Sequence, residues 1–88
     1  MASKRLLKRD VNNVMGDIID AAYIHQAANP NEDPAKSEAI VDEAIATFDD
    51  LIAKINKKDV EDNKQHFKEV NEEFETKANA LVEKVNAL

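Results

Sequence analysis

The sequence predicts an all-α fold, an up-down-up antiparallel three-helix bundle with helices at about 4–28, 34–56 and 60–87. Apolar residues recur at helical spacing almost from end to end, and only two short segments interrupt the pattern. The connections are therefore short, which makes consecutive helices antiparallel neighbours. The length of 88 residues suits a single helical domain spanning residues 1–88.

The first predicted helix has one apolar face. Placed at 100° steps, its apolar side chains fall within roughly 120–160° of arc. The helix is expected to end before Pro30, because proline disfavours the α conformation at the preceding Asn29. The face consists of Leu7, Val11, Val14, Met15, Ile18, Ile19 and Ala22.

The second predicted helix has a clear start and a broad apolar face. Asp33 suits an N-cap position and Pro34 suits the first helical position. Lys57 and Lys58 suit the carbonyl end of the helix. The expected core residues are Ile40, Val41, Ala44, Ile45, Phe48, Leu51, Ile52 and Ile55.

The third predicted helix carries a narrower, heptad-like apolar face. Asp59 suits its N-cap, with acidic residues in the first turn. Asn63 and Asn71 fall inside the apolar arc, where they either reach water or set helix register, as a buried Asn does in coiled coils. We favour the first interpretation. The expected core residues are Val60, Phe67, Val70, Phe74, Ala78, Leu81, Val85 and Leu88.

The composition argues against catalysis. The chain has no cysteine and one glycine, which excludes thiolate chemistry and Gly-rich phosphate loops. His25 and His66 fall at different heights of the bundle, lack a Glu three residues before them, and are predicted to be partly buried, hydrogen-bonded side chains. Ser3 and Ser37 lie near helix starts, where hydroxyls cap or are solvated. We expect no enzyme, no cofactor and no metal site.

The charge is unevenly distributed. The net charge is −6, with +4 over residues 1–9, −9 over residues 10–50 and −1 over residues 51–88. An acidic chain disfavours general nucleic-acid binding. No apolar run is long enough to span a bilayer or to form a secretory signal, so we expect a cytoplasmic location.

The remaining expectation is a non-enzymatic interaction or structural module. It would act by homo-oligomerisation or by docking a partner helix, because a core this small often has help from self-association. One set of candidate contacts lies off the main apolar face of the first helix: Leu6, Tyr23 and Ile24. A second set consists of alanines that repeat every seven residues along the second helix. They either serve only as good helix formers or form a groove in which another helix packs closely: Ala39, Ala46 and Ala53.

An alternative function rests on basic residues. Antiparallel packing brings the start of the first helix, the end of the second and the start of the third to one end of the bundle. This basic pole would bind nucleic acid or another polyanion, although solubility and local ion pairing are the plainer explanation. No aromatic residue interleaves its members, so base stacking is unsupported. The members are Lys4, Arg5, Lys8, Arg9, Lys54, Lys57, Lys58 and Lys64.

Overall fold

The computed structural model describes residues 4–57 and 61–88 and contains three helices, each of which contacts the other two. They are α1 (Lys4–Ala28), α2 (Ala35–Ile55) and α3 (Asn63–Asn86). A hydrogen bond joins the end of α1 to the start of α2, and an ion pair joins the first half of α2 to the end of α3, so successive helices run in opposite directions. The predicted all-α three-helix bundle is confirmed.

The helix boundaries differ from the prediction at two starts. α2 begins at Ala35, whose N–H donates to the Asp33 carboxylate at 3.0 Å, and Pro34 already has a helical conformation. α3 begins at Asn63 instead of residue 60, because Asp62 adopts an extended conformation and its carboxylate accepts the Gln65 N–H. Asp62 is therefore the cap in place of the predicted Asp59. Four residues named above lie outside the described ranges: Ser3, Lys58, Asp59 and Val60.

All three helices contribute to one apolar core. Its largest fully enclosed side chains are Met15, Leu51, Leu81 and Val11. Burial of each such side chain contributes about 1.5–3 kcal/mol. The other core members are Leu7, Ile18, Ala22, Ile40, Val41, Ala44, Ile55, Val70, Phe74 and Ala78.

Ile45 was predicted to lie in the core of α2, and this prediction is wrong. Its side chain is 47% exposed, because the buried face of α2 passes through its neighbour Ala44 and Ile45 lies about 100° around the helix from that residue. Thr47 and Ser37 are buried on α2 instead. The seven remaining predicted core residues that are described lie at the margin and are partly buried: Val14, Ile19, Phe48, Ile52, Phe67, Val85 and Leu88.

Of the two roles expected for Ser37, a capping or a solvated hydroxyl, the structure excludes the solvated one, because Ser37 is a buried polar link between helices. Its Oγ accepts a hydrogen bond from Gln26 Nε2 at 2.7 Å and donates to the Pro34 carbonyl at 3.0 Å. A buried hydroxyl is tolerated when its hydrogen-bonding capacity is satisfied. Asn63 and Asn71 are exposed, which confirms that they reach water.

The two histidines lie at opposite ends of the bundle, as predicted, and both are half-buried and hydrogen-bonded. His25 Nε2 lies 2.9 Å from a Glu32 carboxylate oxygen. His66 Nε2 lies 2.7 Å from the Lys54 carbonyl, which can only accept, so this nitrogen carries the proton. Each ring fixes a helix end and neither can act on the other.

Candidate interaction surface

Polar contacts fasten two of the three seams between helices. The α1–α2 seam is the most extensive and contains the Gln26–Ser37 hydrogen bond. A row of ion pairs crosses the α2–α3 seam, and we call it the α2–α3 ladder. Its contacts join Lys54 to Glu73 at 2.7 Å, Lys77 to Asp50 at 3.4 Å and Lys84 to Glu43 at 2.6 Å.

The centre of the ladder perturbs the ionisation of two side chains. The hydrogen bond from Lys54 lowers the pKa of Asp50, and Lys77 acts in the same direction. The hydrogen bond to Glu73 raises the pKa of Lys54, with Asp50 adding to the effect. Both shifts favour the charged forms, so the ladder holds Lys54 as an ion-pair partner of two carboxylates.

The third seam, between α1 and α3, has no such polar contact in the described part of the chain. Within residues 4–57 and 61–88, every side-chain hydrogen bond or ion pair that joins two helices has a partner on α2. A depression of about 350 Å³ opens along this α1–α3 seam, beside the 42%-exposed Val82. Its lining is largely apolar: Val14, Ile18, Ala21, Val82 and Val85, with Asp17 and Asn86.

A larger cavity opens at the end of the bundle that holds the basic pole. This pole cavity has a volume of about 680 Å³ and lies where the start of α1, the end of α2 and the start of α3 meet. Its floor is apolar and its mouth is basic. The floor residues are Leu7, Ile55, Phe67 and Val70, and the others are Lys4, Lys57, Lys64, Asn63 and His66.

The structure separates the predicted basic pole into groups. Lys4, Lys57 and Lys64 share the pole cavity, and none of the three makes an ion pair in the described part of the chain. Lys54 is bound by the α2–α3 ladder. The remaining described members do not line the cavity; two are exposed and one is half-buried, namely Arg5, Arg9 and Lys8.

The candidate contacts on α1 are exposed but do not form one patch. Leu6 and Ile24 lie on the same side of α1, yet five turns, or about 27 Å, separate them. Tyr23 points about 100° away from Ile24, which is 68% exposed. At 100° steps, Leu6 and Ile24 fall next to Asp17, on the margin of the α1–α3 seam.

The predicted alanine stripe lies on the outer face of α2. Ala39, Ala46 and Ala53 are all exposed, and so are the flanking Asp42 and Asp49. This placement matches either interpretation of the stripe. It lies on the side away from the core, so it is separate from the α1–α3 seam.

Two apolar residues that line the α1–α3 seam, Ala21 and Val82, were not predicted from the sequence. Val82 is next to buried Leu81, and Val14 and Ala21 lie on the margin of the apolar face of α1. A helical wheel already places these margin residues beside the core stripes. Only the packing of α3 against α1 shows that the two margins face each other and stay uncovered.

The described residues thus form a three-helix bundle with one open seam and one basic-rimmed cavity. Among them, no group of three acidic or histidine side chains is arranged to hold a metal ion, and no helix has the length and apolarity to cross a membrane. Comparison with protein-family models, with curated proteins and with solved structures finds no match.

Proposed function

We propose that this protein is a non-enzymatic interaction module that acts by homo-oligomerising, or by docking a partner helix, along the α1–α3 seam. The observation that carries the proposal is the difference between the seams. Two are closed by polar contacts through α2, whereas the third is apolar and open, with no polar side-chain contact across it among residues 4–57 and 61–88. An apolar groove between two parallel helices fits the face of a further amphipathic helix.

The charges along the seam favour a second copy of the chain as the occupant. Lys4 and Lys64 lie at the end where α1 and α3 begin, and Asp17 lines the depression farther along. In an antiparallel pair related by a twofold axis, the basic end of one seam meets the acidic part of the other. Such a contact is self-complementary and closes after two chains.

The candidate residues on α1 fit this arrangement in part. Leu6 and Ile24 border the seam and would lie at the rim of the contact, with Val82 nearer its centre. Covering these apolar groups also supplies stability that a small single-chain core lacks. Tyr23 and the alanine stripe of Ala39, Ala46 and Ala53 lie on other faces and are not required.

Sedimentation equilibrium of matched variants tests the proposal. Val82→Glu places a charge in the seam, and Ile45→Glu places one at an equally exposed site near the α1–α2 seam. We expect the wild type to self-associate and Val82→Glu to weaken association at least about tenfold, because a buried unpaired charge is costly. Ile45→Glu should associate like the wild type. A wild type that stays monomeric, or equal effects of both variants, contradicts self-association through the seam.

A second candidate function is polyanion binding at the basic pole. The three lysines at the pole cavity, which make no ion pair with the described residues, favour it within a chain of net charge −6. It predicts retention of RNA or DNA at low salt, lost steeply as salt rises and lost in Lys57→Glu. Absence of retention at low salt contradicts it.

A further inference from the structure

We infer that the pole cavity is a binding site for a free long-chain carboxylate, with the acyl chain on the apolar floor and the carboxylate among the lysines at the mouth. This site goes beyond the proposed self-association, which would engage Lys4 and Lys64, and the Val82→Glu chain tests the site apart from that contact. The shape of the cavity, its charge and the lack of ion pairs at its lysines among the described residues support this assignment.

The cavity floor suits an unbranched hydrocarbon chain. Leu7, Ile55 and Val70 are buried core residues whose side chains also reach the cavity, and half-buried Phe67 completes the floor. The volume of about 680 Å³ falls within the range of about 300–1,000 Å³ that is typical of small-molecule sites. An acyl chain needs no hydrogen-bond partner, and this floor offers none.

The mouth suits an anionic head group. Lys4, Lys57 and Lys64 line it and make no ion pair among the described residues, whereas the lysines of the α2–α3 ladder are held by carboxylates. No carboxylate of residues 4–57 or 61–88 lines the cavity. Asp62 at the same end accepts the Gln65 N–H as the α3 cap and borders a different depression.

The combination of floor and mouth favours an amphiphile over a bare anion. Inorganic phosphate or a nucleic-acid backbone would use the lysines and leave the apolar floor in water. His66 cannot readily turn toward such a ligand, because its Nε2 already donates to the Lys54 carbonyl. The recess between three helix ends favours a single free chain over a flat lipid surface.

Titration of the full chain with ligands of matched length tests the inference. The probes are decanoate, octanoate, decyltrimethylammonium and acetate, each below its micelle concentration, and the readout is the NMR shift of the Leu7, Ile55 and Val70 methyl groups. We expect saturable one-to-one binding of decanoate. Octanoate should bind about tenfold more weakly, since each buried methylene contributes up to about fourfold. The ammonium probe and acetate should leave these methyl signals unchanged.

Charge-reversal variants distinguish binding in the pole cavity from binding to other lysines on the surface. Lys57→Glu combined with Lys64→Glu should weaken decanoate binding at least about tenfold. Lys36→Glu, an exposed lysine at the start of α2 and so at the other end of the bundle, should change it less than about twofold. The Val82→Glu chain should still bind decanoate, so failure of self-association and failure of this site give different results.

Three titration results would overturn the inference. They are no saturable shift with decanoate, equal binding of the ammonium probe, and equal loss in the Lys36→Glu control. Co-sedimentation with vesicles of anionic phospholipid, in place of saturable decanoate binding, would overturn it as well by assigning the lysines to a membrane surface.

Discussion

Leu51 and Ile45 make very different contributions to the free energy of unfolding although both are apolar residues of α2. Leu51 is 0% exposed at the centre of the core, and Ile45 is 47% exposed. Leu51→Ala should lower the free energy of unfolding by about 3 kcal/mol, within the range of about 2–5 kcal/mol for buried leucines. The whole free energy of unfolding of a chain of this size is about 4–13 kcal/mol, so the expected loss is a large share of it.

Ile45→Ala is the matched control. About half of the side chain is already in water, and alanine is the better helix former, so the expected loss is below about 1 kcal/mol. A loss of 3 kcal/mol in Leu51→Ala corresponds to a fall in Tm of about 12–24 °C. Urea denaturation followed by far-UV circular dichroism measures both variants, at concentrations too low for association.

Equal losses of stability in the two variants would contradict the described packing of α2. If Ile45→Ala destabilises the chain as much as Leu51→Ala, α2 is rotated relative to the described packing. An unchanged denaturant slope in both variants is needed to attribute the difference to the folded state.

Three further measurements probe local contacts. Asp62→Ala removes the α3 cap and should cost about 1 kcal/mol in urea denaturation; no loss would argue against Asp62 as the cap. Ser37→Ala leaves the Gln26 amide without its partner and should cost about 1 kcal/mol, whereas an unchanged midpoint would place that contact in water. Because the pKa of Asp50 is lowered, its ion pairs contribute fully to the stability of the folded state above pH 3.8, its ordinary pKa. That contribution is lost as the pH falls through the pKa that Asp50 has in the folded protein. Because the pKa of Lys54 is raised, its ion pairs contribute fully to the stability of the folded state below pH 10.5, its ordinary pKa. That contribution is lost as the pH rises through the pKa that Lys54 has in the folded protein. NMR titration of Asp50 with a midpoint at or above 3.8 would contradict the α2–α3 ladder.

The fold follows from the sequence because helical periodicity and chain breakers act locally. The Asn29–Pro34 segment ends one helix and starts the next through the backbone limits of proline and the Asp33 carboxylate. Where two aspartates compete, local rules do not decide. Asp59 and Asp62 both suit a cap, and the helix starts after the second of them.

The candidate site could be predicted only in part, because it depends on how the faces meet. Antiparallel topology was enough to gather Lys4, Lys57 and Lys64 at one end, yet it did not show that Lys54 is held by Glu73. The exposure of Ile45 and the open α1–α3 seam depend on helix rotation and spacing. Those quantities come from the summed packing of three helices and not from any one segment.

The accessibility of the α1–α3 seam decides the proposed function most directly. Methyl NMR with a dissolved paramagnetic probe reports whether Val14, Val82 and Val85 contact solvent, across a dilution series. We predict strong relaxation of these methyl groups in dilute protein and protection at high concentration, with the Ile45 methyl groups exposed throughout. Protection that persists at dilutions where sedimentation shows only monomer would mean that the seam is closed within one chain, and exposure at every concentration would mean that nothing in the sample covers it; either result contradicts self-association through this surface.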